Sequence, residues 1–406
     1  MNLEAAYVRS TGESGTIYLY SCLWRRILAW IGRIVLAGGL VACGSPKGPA
    51  PTTSPLPGRV VSSGDRSTAT VPLPAAALDR GKSLWVPVPW SDLPGFADDA
   101  LFEAWNAWLK SCERPMPPFA AVCAEVRLFS IAEPQEQRAW MRQRLQPYRL
   151  ETPQGDANGL LTGYFEPLLE ARRTAETGFS VPLYQAPAGL AQRKPWYSRQ
   201  EIDTQSAAQA ALRGRAIAYL SNPVDALVLQ IQGSGRLRIA QPDGSVRWIR
   251  LSYAGSNDQP YRSVGRWLLD QGLVKDASWP GIKAWLDNNP QRQQELLWIN
   301  PRVVFFKEEL MSEMDVQVGP RGAQGVPLTP GRSIAVDPAS IPYGSPVWLA
   351  SRGAQTQLER LVIAQDTGSA ITGAVRADYF TGWGVEAAEL AARLRQPLQM
   401  WVLWPK

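Results

Sequence analysis

Apolar residues at Leu101, Trp105, Trp108 and Leu109 recur at helical spacing and predict a helix over Asp98–Cys112, with aspartate at its start. A second amphipathic helix is predicted over Pro134–Leu145, opening on proline. Further helices are predicted over Arg262–Gln271 and Val385–Leu394, with Gly272 and Pro397 just beyond them. Elsewhere the apolar positions come in short runs with partial alternation. Ala226–Gln232, Arg236–Ala240 and Val246–Leu251 predict strands, separated by Gly233-Ser234-Gly235 and Asp243-Gly244. Val303–Phe306, Ser333–Val336, Val347–Leu349, Leu361–Ala364 and Leu398–Leu403 predict more. There is no internal repeat and no heptad. The pattern predicts a mainly β protein with barrel-like sheets and an N-terminal helical layer.

The N-terminus follows a different logic. Arg25, Arg26 and Arg33 precede the apolar run Ile34–Ala42, too short to span a bilayer and patterned like a signal-peptide core. Leu40-Val41-Ala42-Cys43 ends that run and resembles a bacterial lipobox, in which Cys43 becomes the lipidated first residue. Residues 1–42 are therefore expected to be a leader, and the polar stretch Met1–Cys22 favours a true start near Leu23. Residues 43–75 are rich in Pro, Ser, Thr and Gly without an apolar period, as in a flexible tether. The expected location is the periplasmic face of a bacterial outer membrane, held through lipid on Cys43. Cys112 and Cys123 remain as an even pair. Outside the cytoplasm they are expected to form a disulfide, the alternative being two buried thiols.

Composition narrows the chemistry. The chain has 406 residues and no histidine. That excludes Ser-His-Asp and Cys-His nucleophile pairs, an imidazole base and a His-rich catalytic zinc site. Acid–base work must fall to carboxylates, Lys, Tyr or Cys. The formal net charge is +6; losing the four Arg and two Glu of residues 1–42 leaves +4. The basic residues are scattered without a block, which argues against a nucleic-acid arm. No cofactor and no metal are expected.

Three aspartates sit at strand ends or turns near the C-terminus: Asp337 before Pro338, Asp366 in Asp-Thr-Gly-Ser-Ala, and Asp378 in Arg-Ala-Asp-Tyr-Phe. The glycine-rich stretch Gly368–Gly373 could fold back and bring Asp366 and Asp378 together. Paired carboxylates suit glycoside cleavage, because one can stay protonated when its surroundings raise its pKa. Each alone reads more often as a turn residue or strand cap. Asp366-Thr367-Gly368 also looks like an aspartic-protease loop, but such enzymes need two, and no second exists here.

These segments together resemble the membrane-bound lytic transglycosylase A family with its C-terminal three-aspartate (3D) domain. The match is carried by Leu161–Pro167, Gln230–Gly235, Ser252–Asn257, Tyr261–Gly265, Asn300-Pro301 with Val304-Phe305-Phe306, and the aspartate pattern. It runs from about residue 85 to the end. The resemblance implies a double-psi β-barrel over residues 76–166 and 300–406, interrupted by a smaller β-domain over 167–299, with a glycan groove between them. It implies cleavage of the β-1,4 bond between N-acetylmuramic acid and N-acetylglucosamine in peptidoglycan, without water. The product ends in 1,6-anhydro-N-acetylmuramic acid, as for a carbon–oxygen lyase of exo or endo type. By motif position Asp378 matches the acid/base and Asp366 a supporting aspartate. Substrate contacts are expected from Thr162, Gly163, Tyr164, Gln232, Gly233, Ser234, Tyr253, Asn257, Tyr261, Arg262 and Asp337. Trp383 is a candidate groove wall. Arg376 is expected to point away from Asp378, since a neighbouring cation would lower the acid's pKa. Two alternatives stay open: a hydrolytic muramidase using both aspartates, and a non-catalytic peptidoglycan-binding lipoprotein.

Overall fold

A computed structural model describes residues 76–406, apart from Pro242, Glu313 and Gln355. The leader, Cys43 and the tether lie outside the described residues. The described chain opens with strands β1 (Leu78–Asp79) and β2 (Leu84–Pro87), then helices α1 (Phe102–Ser111), α2 (Ala120–Leu128) and α3 (Pro134–Arg144). Strands β3 (Leu145–Glu151) and β4 (Gly159–Glu166) follow. The middle of the chain carries β5 (Leu168–Ala171), β6 (Val181–Tyr184), α4 (Arg199–Thr204), α5 (Ser206–Leu212), β7 (Ala216–Leu220) and α6 (Pro223–Gln232). It continues through β8 (Ser234–Ala240), β9 (Val246–Ser256), α7 (Val264–Asp270), α8 (Trp279–Asn288), α9 (Gln293–Ile299) and β10 (Val304–Leu310). The last part holds β11 (Ser333–Val336), β12 (Pro346–Arg352), β13 (Gln357–Asp366), β14 (Arg376–Trp383), α10 (Gly384–Arg393) and β15 (Arg395–Pro405).

Nine strands form one sheet in the order β1-β2-β3-β15-β12-β13-β11-β14-β4. Because β4 also pairs with β15, the six strands from β15 to β4 close into a barrel. Alternation sorts the strand residues between two cores. On β12, Val347 and Leu349 join Leu161, Val336 and Val362 in one cluster. Trp348 and Ala350 join Trp105, Trp108 and Trp140 of α1 and α3 in another. Both faces of β12 are thus buried, which is why its sequence is a continuous apolar run. A disulfide between Cys112 and Cys123 joins the end of α1 to α2.

The middle segment makes a second ring. β10-β9-β8-β5 form a sheet and β6-β7 a pair. Single bridges, Arg172 to Tyr219 and Gln185 to Phe306, link the two pieces at both edges. At the crossing between the rings, Glu166 at the end of β4 is fully buried. It accepts hydrogen bonds at 2.7 Å from Nε of both Arg236 on β8 and Arg250 on β9. The Arg236 guanidinium also lies 4.0 Å from the ring centre of Trp383 on β14. Trp383 therefore packs at this junction.

Three expectations need correction. Ala226–Gln232 is helix α6, not a strand. Asn222 caps it by accepting from Val224 N–H, Pro223 starts it, and Gly233 ends it in a left-handed conformation. Its apolar run is continuous because Ala226 and Leu229 face the second ring while Val224, Leu227 and Val228 face a helical cluster. The first helix starts at Phe102 rather than Asp98. Asp99 instead pairs with Arg332 at 2.7 and 2.8 Å and accepts from Leu361 N–H. Finally, the fold is mixed and sheet-rich rather than mainly β, since the middle segment alone carries α4 to α9.

Candidate active site

Strand register builds the site. Ala335 on β11 pairs with Asp366 on one side and Asp378 on the other. Asp378 in turn pairs with Thr162 on β4. One row thus crosses four strands: Asp366, Ala335, Asp378, Thr162. Two strand spacings separate the aspartate backbones, roughly 10 Å. The Ala335 methyl lies between them. Tyr164 stands two residues beyond Thr162, on the same face of β4.

Side chains complete the row. The Thr162 hydroxyl donates to Asp378 Oδ1 at 2.5 Å, and Arg376 Nη2 donates to Thr162 Oγ1 at 2.8 Å. The Tyr164 hydroxyl donates to Asp366 Oδ2 at 2.9 Å, and the Ala323 N–H to Asp366 Oδ1 at 2.9 Å. Both residues are part-exposed, yet their carboxyls are crowded by protein. Burial pushes Asp378 above the ordinary carboxylate range, against the pull of the Thr162 hydroxyl and the Arg376 charge. Burial pushes Asp366 further, to about 6, against the Thr367 and Ala323 N–H groups and the Tyr164 hydroxyl. The negative charge of Asp378 adds to that push. Tyr164 is driven well above its usual value by burial and both aspartates, so it remains a donor at neutral pH. The site is therefore two carboxyls poised to hold protons, joined to hydroxyl donors.

The comparisons agree with one another. Residues 160–307 match the family described as MltA specific insert domain, and residues 332–404 match the 3D domain. The Burkholderia pseudomallei lytic transglycosylase LtgG shares 40% sequence identity, covering 82% of this chain and 97% of that one, at a TM-score of 0.57. Escherichia coli MltA solved with bound chitohexaose shares 27%, covering 80% of this chain and 94% of that one, at 0.63. The Escherichia coli membrane-bound lytic murein transglycosylase A is 34% identical over 268 residues, 63% of this chain and 68% of that protein. The chain belongs to the membrane-bound lytic murein transglycosylase A family.

Within that family frame, the structure sorts the residues singled out by sequence. Asp366, Asp378, Thr162 and Tyr164 come together. Gly163 faces the other way: a Cβ there would meet Ala391 of α10 at 2.7 Å, so glycine lets the helix lie against β4. Gln232 accepts from the Phe165 N–H at 3.0 Å and holds β4 rather than standing free. Gly233 is the α6 cap, and Ser234 begins β8. Asn257 is fully buried, and its amide bonds the backbone of Tyr197, Pro301 and Val303. Tyr253, Tyr261 and Arg262 are exposed on the middle segment. Asp337 is 4% exposed and accepts from Lys82 Nζ at 2.9 Å and from the Ala339 and Gly373 N–H groups at 3.0 Å.

Arg376 does not point away from Asp378. Residues two apart on a strand share a face, so β14 brings the guanidinium onto the same side as the acid. Sequence reasoning also passed over Ala323, whose N–H comes from a loop 43 residues upstream of Asp366. No local pattern marks such a contact.

Proposed function

We propose that the chain cleaves the β-1,4 bond between N-acetylmuramic acid and N-acetylglucosamine in peptidoglycan without adding water, with Asp378 as acid and then base. Family membership supports the lytic transglycosylase activity. The observation that carries the residue assignment is the raised Asp378 carboxyl bonded to Thr162, itself bonded to Arg376. A protonated Asp378 gives its proton to the leaving oxygen as the glycosidic bond breaks. The new carboxylate is received by the Thr162 hydroxyl and the Arg376 charge, which favour the ionised form. It then accepts the proton of the muramic acid 6-hydroxyl as that oxygen closes on C1. Because the nucleophile is intramolecular, no water-activating base is needed. In the free site Asp366 is the more strongly raised of the two, so this assignment requires bound glycan to leave the proton on Asp378 and Asp366 ionised, where it stabilises positive charge developing on the sugar ring.

The reading extends to the architecture. The closed six-strand ring supports a double-psi barrel formed by residues 76–166 and 300–406, with 167–299 as the inserted domain. Exposed Tyr253, Tyr261 and Arg262 are then the insert's side of a glycan groove, and Thr162, Tyr164 and the aspartates the barrel's side. Half-buried Gly163 and Gln232 and buried Asn257 and Asp337 shape that groove from behind. The relative solved with chitohexaose supports a groove that accepts a β-1,4 amino-sugar chain. Lipidation at Cys43 and a periplasmic, outer-membrane position complete the proposal.

Mass spectrometry of fragments released from purified sacculi tests it. The expected fragments are lighter by one water than hydrolytic ones. Fragments carrying that water would establish the two-aspartate hydrolase instead. Asp378→Asn should lower turnover by about a thousandfold while glycan binding persists. Unchanged turnover would remove Asp378 from the role of acid. Because the acid must begin protonated, kcat/KM should fall as pH rises through the raised Asp378 pKa.

A further inference from the structure

The Ala323 N–H reaches Asp366 from a tight loop in which Arg321 bridges Pro327 and Gly322 N–H bonds Val326 O at 3.0 Å. Gly322 has no spare room: a Cβ there would meet Gln365 O at 2.4 Å, so the loop lies directly on the backbone beside Asp366. What fixes it in that place is Gln324. Its N–H bonds Gln365 O at 3.0 Å. Its side-chain oxygen accepts from the Ser111 hydroxyl at 2.9 Å, and its Nε2 donates to the carbonyls of Ser111 and Arg114 at 3.3 Å. From the other side, fully buried Gln365 donates to Ala107 O and Ser111 Oγ at 2.8 Å. Ser111 is the last residue of α1, and the next residue, Cys112, is held to α2 by the disulfide.

We propose that Gln324 is a positioning residue that fastens the Ala323 loop to the disulfide-stapled end of α1 and so holds the Ala323 N–H on Asp366. The inference rests on Asp366 belonging to the reacting site. Its logic is electrostatic. Asp366 bonds no Lys or Arg among the described residues, and its charged form depends on N–H and hydroxyl donors. The titratable groups facing it are Tyr164 from β4, Asp378 from β14 and Tyr343 from the turn before β12. None is a cation. A loosened loop therefore withdraws one of few groups that favour the carboxylate.

The test is a carbon-13 NMR titration of the Asp366 carboxyl in the wild-type chain and in Gln324→Ala, with pH profiles of kcat on sacculi beside it. The Asp366 midpoint should rise by about one pH unit in Gln324→Ala. The acidic limb of the kcat profile, where Asp366 gives up its proton, should move with it, and KM should change little. Ser111→Ala and reduction of the Cys112–Cys123 bond should move the midpoint the same way by less. A folded Gln324→Ala with an unmoved midpoint overturns the proposal. Should that variant fail to fold, unmoved midpoints in both Ser111→Ala and the reduced chain overturn it. The titration does not depend on cleavage. A chain inactive on sacculi would sink the functional reading while leaving this measurement intact.

Discussion

Asp337 and Asp366 belong to the same barrel and lie 29 residues apart, yet burial leads them to opposite states. Burial alone would raise both. At Asp337 the Gly373 and Ala339 N–H groups and the Lys82 ammonium outweigh it and hold the carboxyl below the ordinary range. At Asp366 the donors are N–H and hydroxyl groups without a cation, and the carboxyl rises to about 6. The difference lies in how far burial is offset: two N–H groups and a cation outweigh it at Asp337, whereas neutral donors do not at Asp366. Asp337 is thereby fixed as an anion that knits Lys82, the turn after β11 and the Gly373 loop. Asp366 is left able to change protonation near neutral pH.

The contrast can be broken at either end. Asp337→Ala should have the largest effect, about 3 kcal/mol of lost stability in denaturant unfolding at pH 7, because it leaves the Ala339 and Gly373 N–H groups without an acceptor. Since the folded pKa is depressed, this contribution exists above the unfolded value and disappears as pH falls through the folded one. A variant as stable as wild type would show that the network is idle. Asp366→Asn should do the reverse, stabilising the chain by about 2 kcal/mol at pH 7.5 while lowering turnover about a hundredfold. Here the folded pKa is raised, so the carboxylate destabilises only above the unfolded value; thermal melts should show the gain vanishing by about pH 4. A loss of stability would contradict the assignment. Tyr164→Phe removes one hydroxyl donor and should raise the Asp366 midpoint by about one unit, read from the pH dependence of kcat. Lys82→Met should be smallest, about 1 kcal/mol, because its side chain is 54% exposed and screened. A cost above that of Asp337→Ala would reverse the argument.

Sequence pattern marked Ser333–Val336 at its observed bounds and placed β8, β9, β12, β13 and β15 within a few residues. These strands show local alternation or short apolar runs bounded by turns. β4 and β14 escaped because polar or small residues at Thr162, Gly163, Arg376 and Asp378 interrupt their apolar pattern, and all but Gly163 face the candidate site. Function and legibility compete at such positions. α6 misled because a helix buried on both sides has no polar face to reveal its period. The aspartates were visible as a motif, but their common register on Ala335 was not. That depends on which strands pair, and the partners are far apart in sequence. Arg376 could have been placed once β14 was recognised as a strand, by its two-residue spacing from Asp378.

The hydrogen bond from Thr162 to Asp378 joins residues 216 apart, and β15, the last strand, closes the ring against β4. The order of synthesis therefore matters. β4 emerges early and must wait through the whole middle segment before its two neighbours exist. That segment is linked across its own strands and can draw its ends together before the barrel closes, which shortens the effective loop to be closed. Until β14 and β15 arrive, Asp378 has no Thr162 and the barrel has no final seam. A chain cut before Arg395 would carry all three aspartates and still lack the strand that seals the ring against β4. The seam at β15 thus forms after the four strands that carry the row Asp366, Ala335, Asp378 and Thr162.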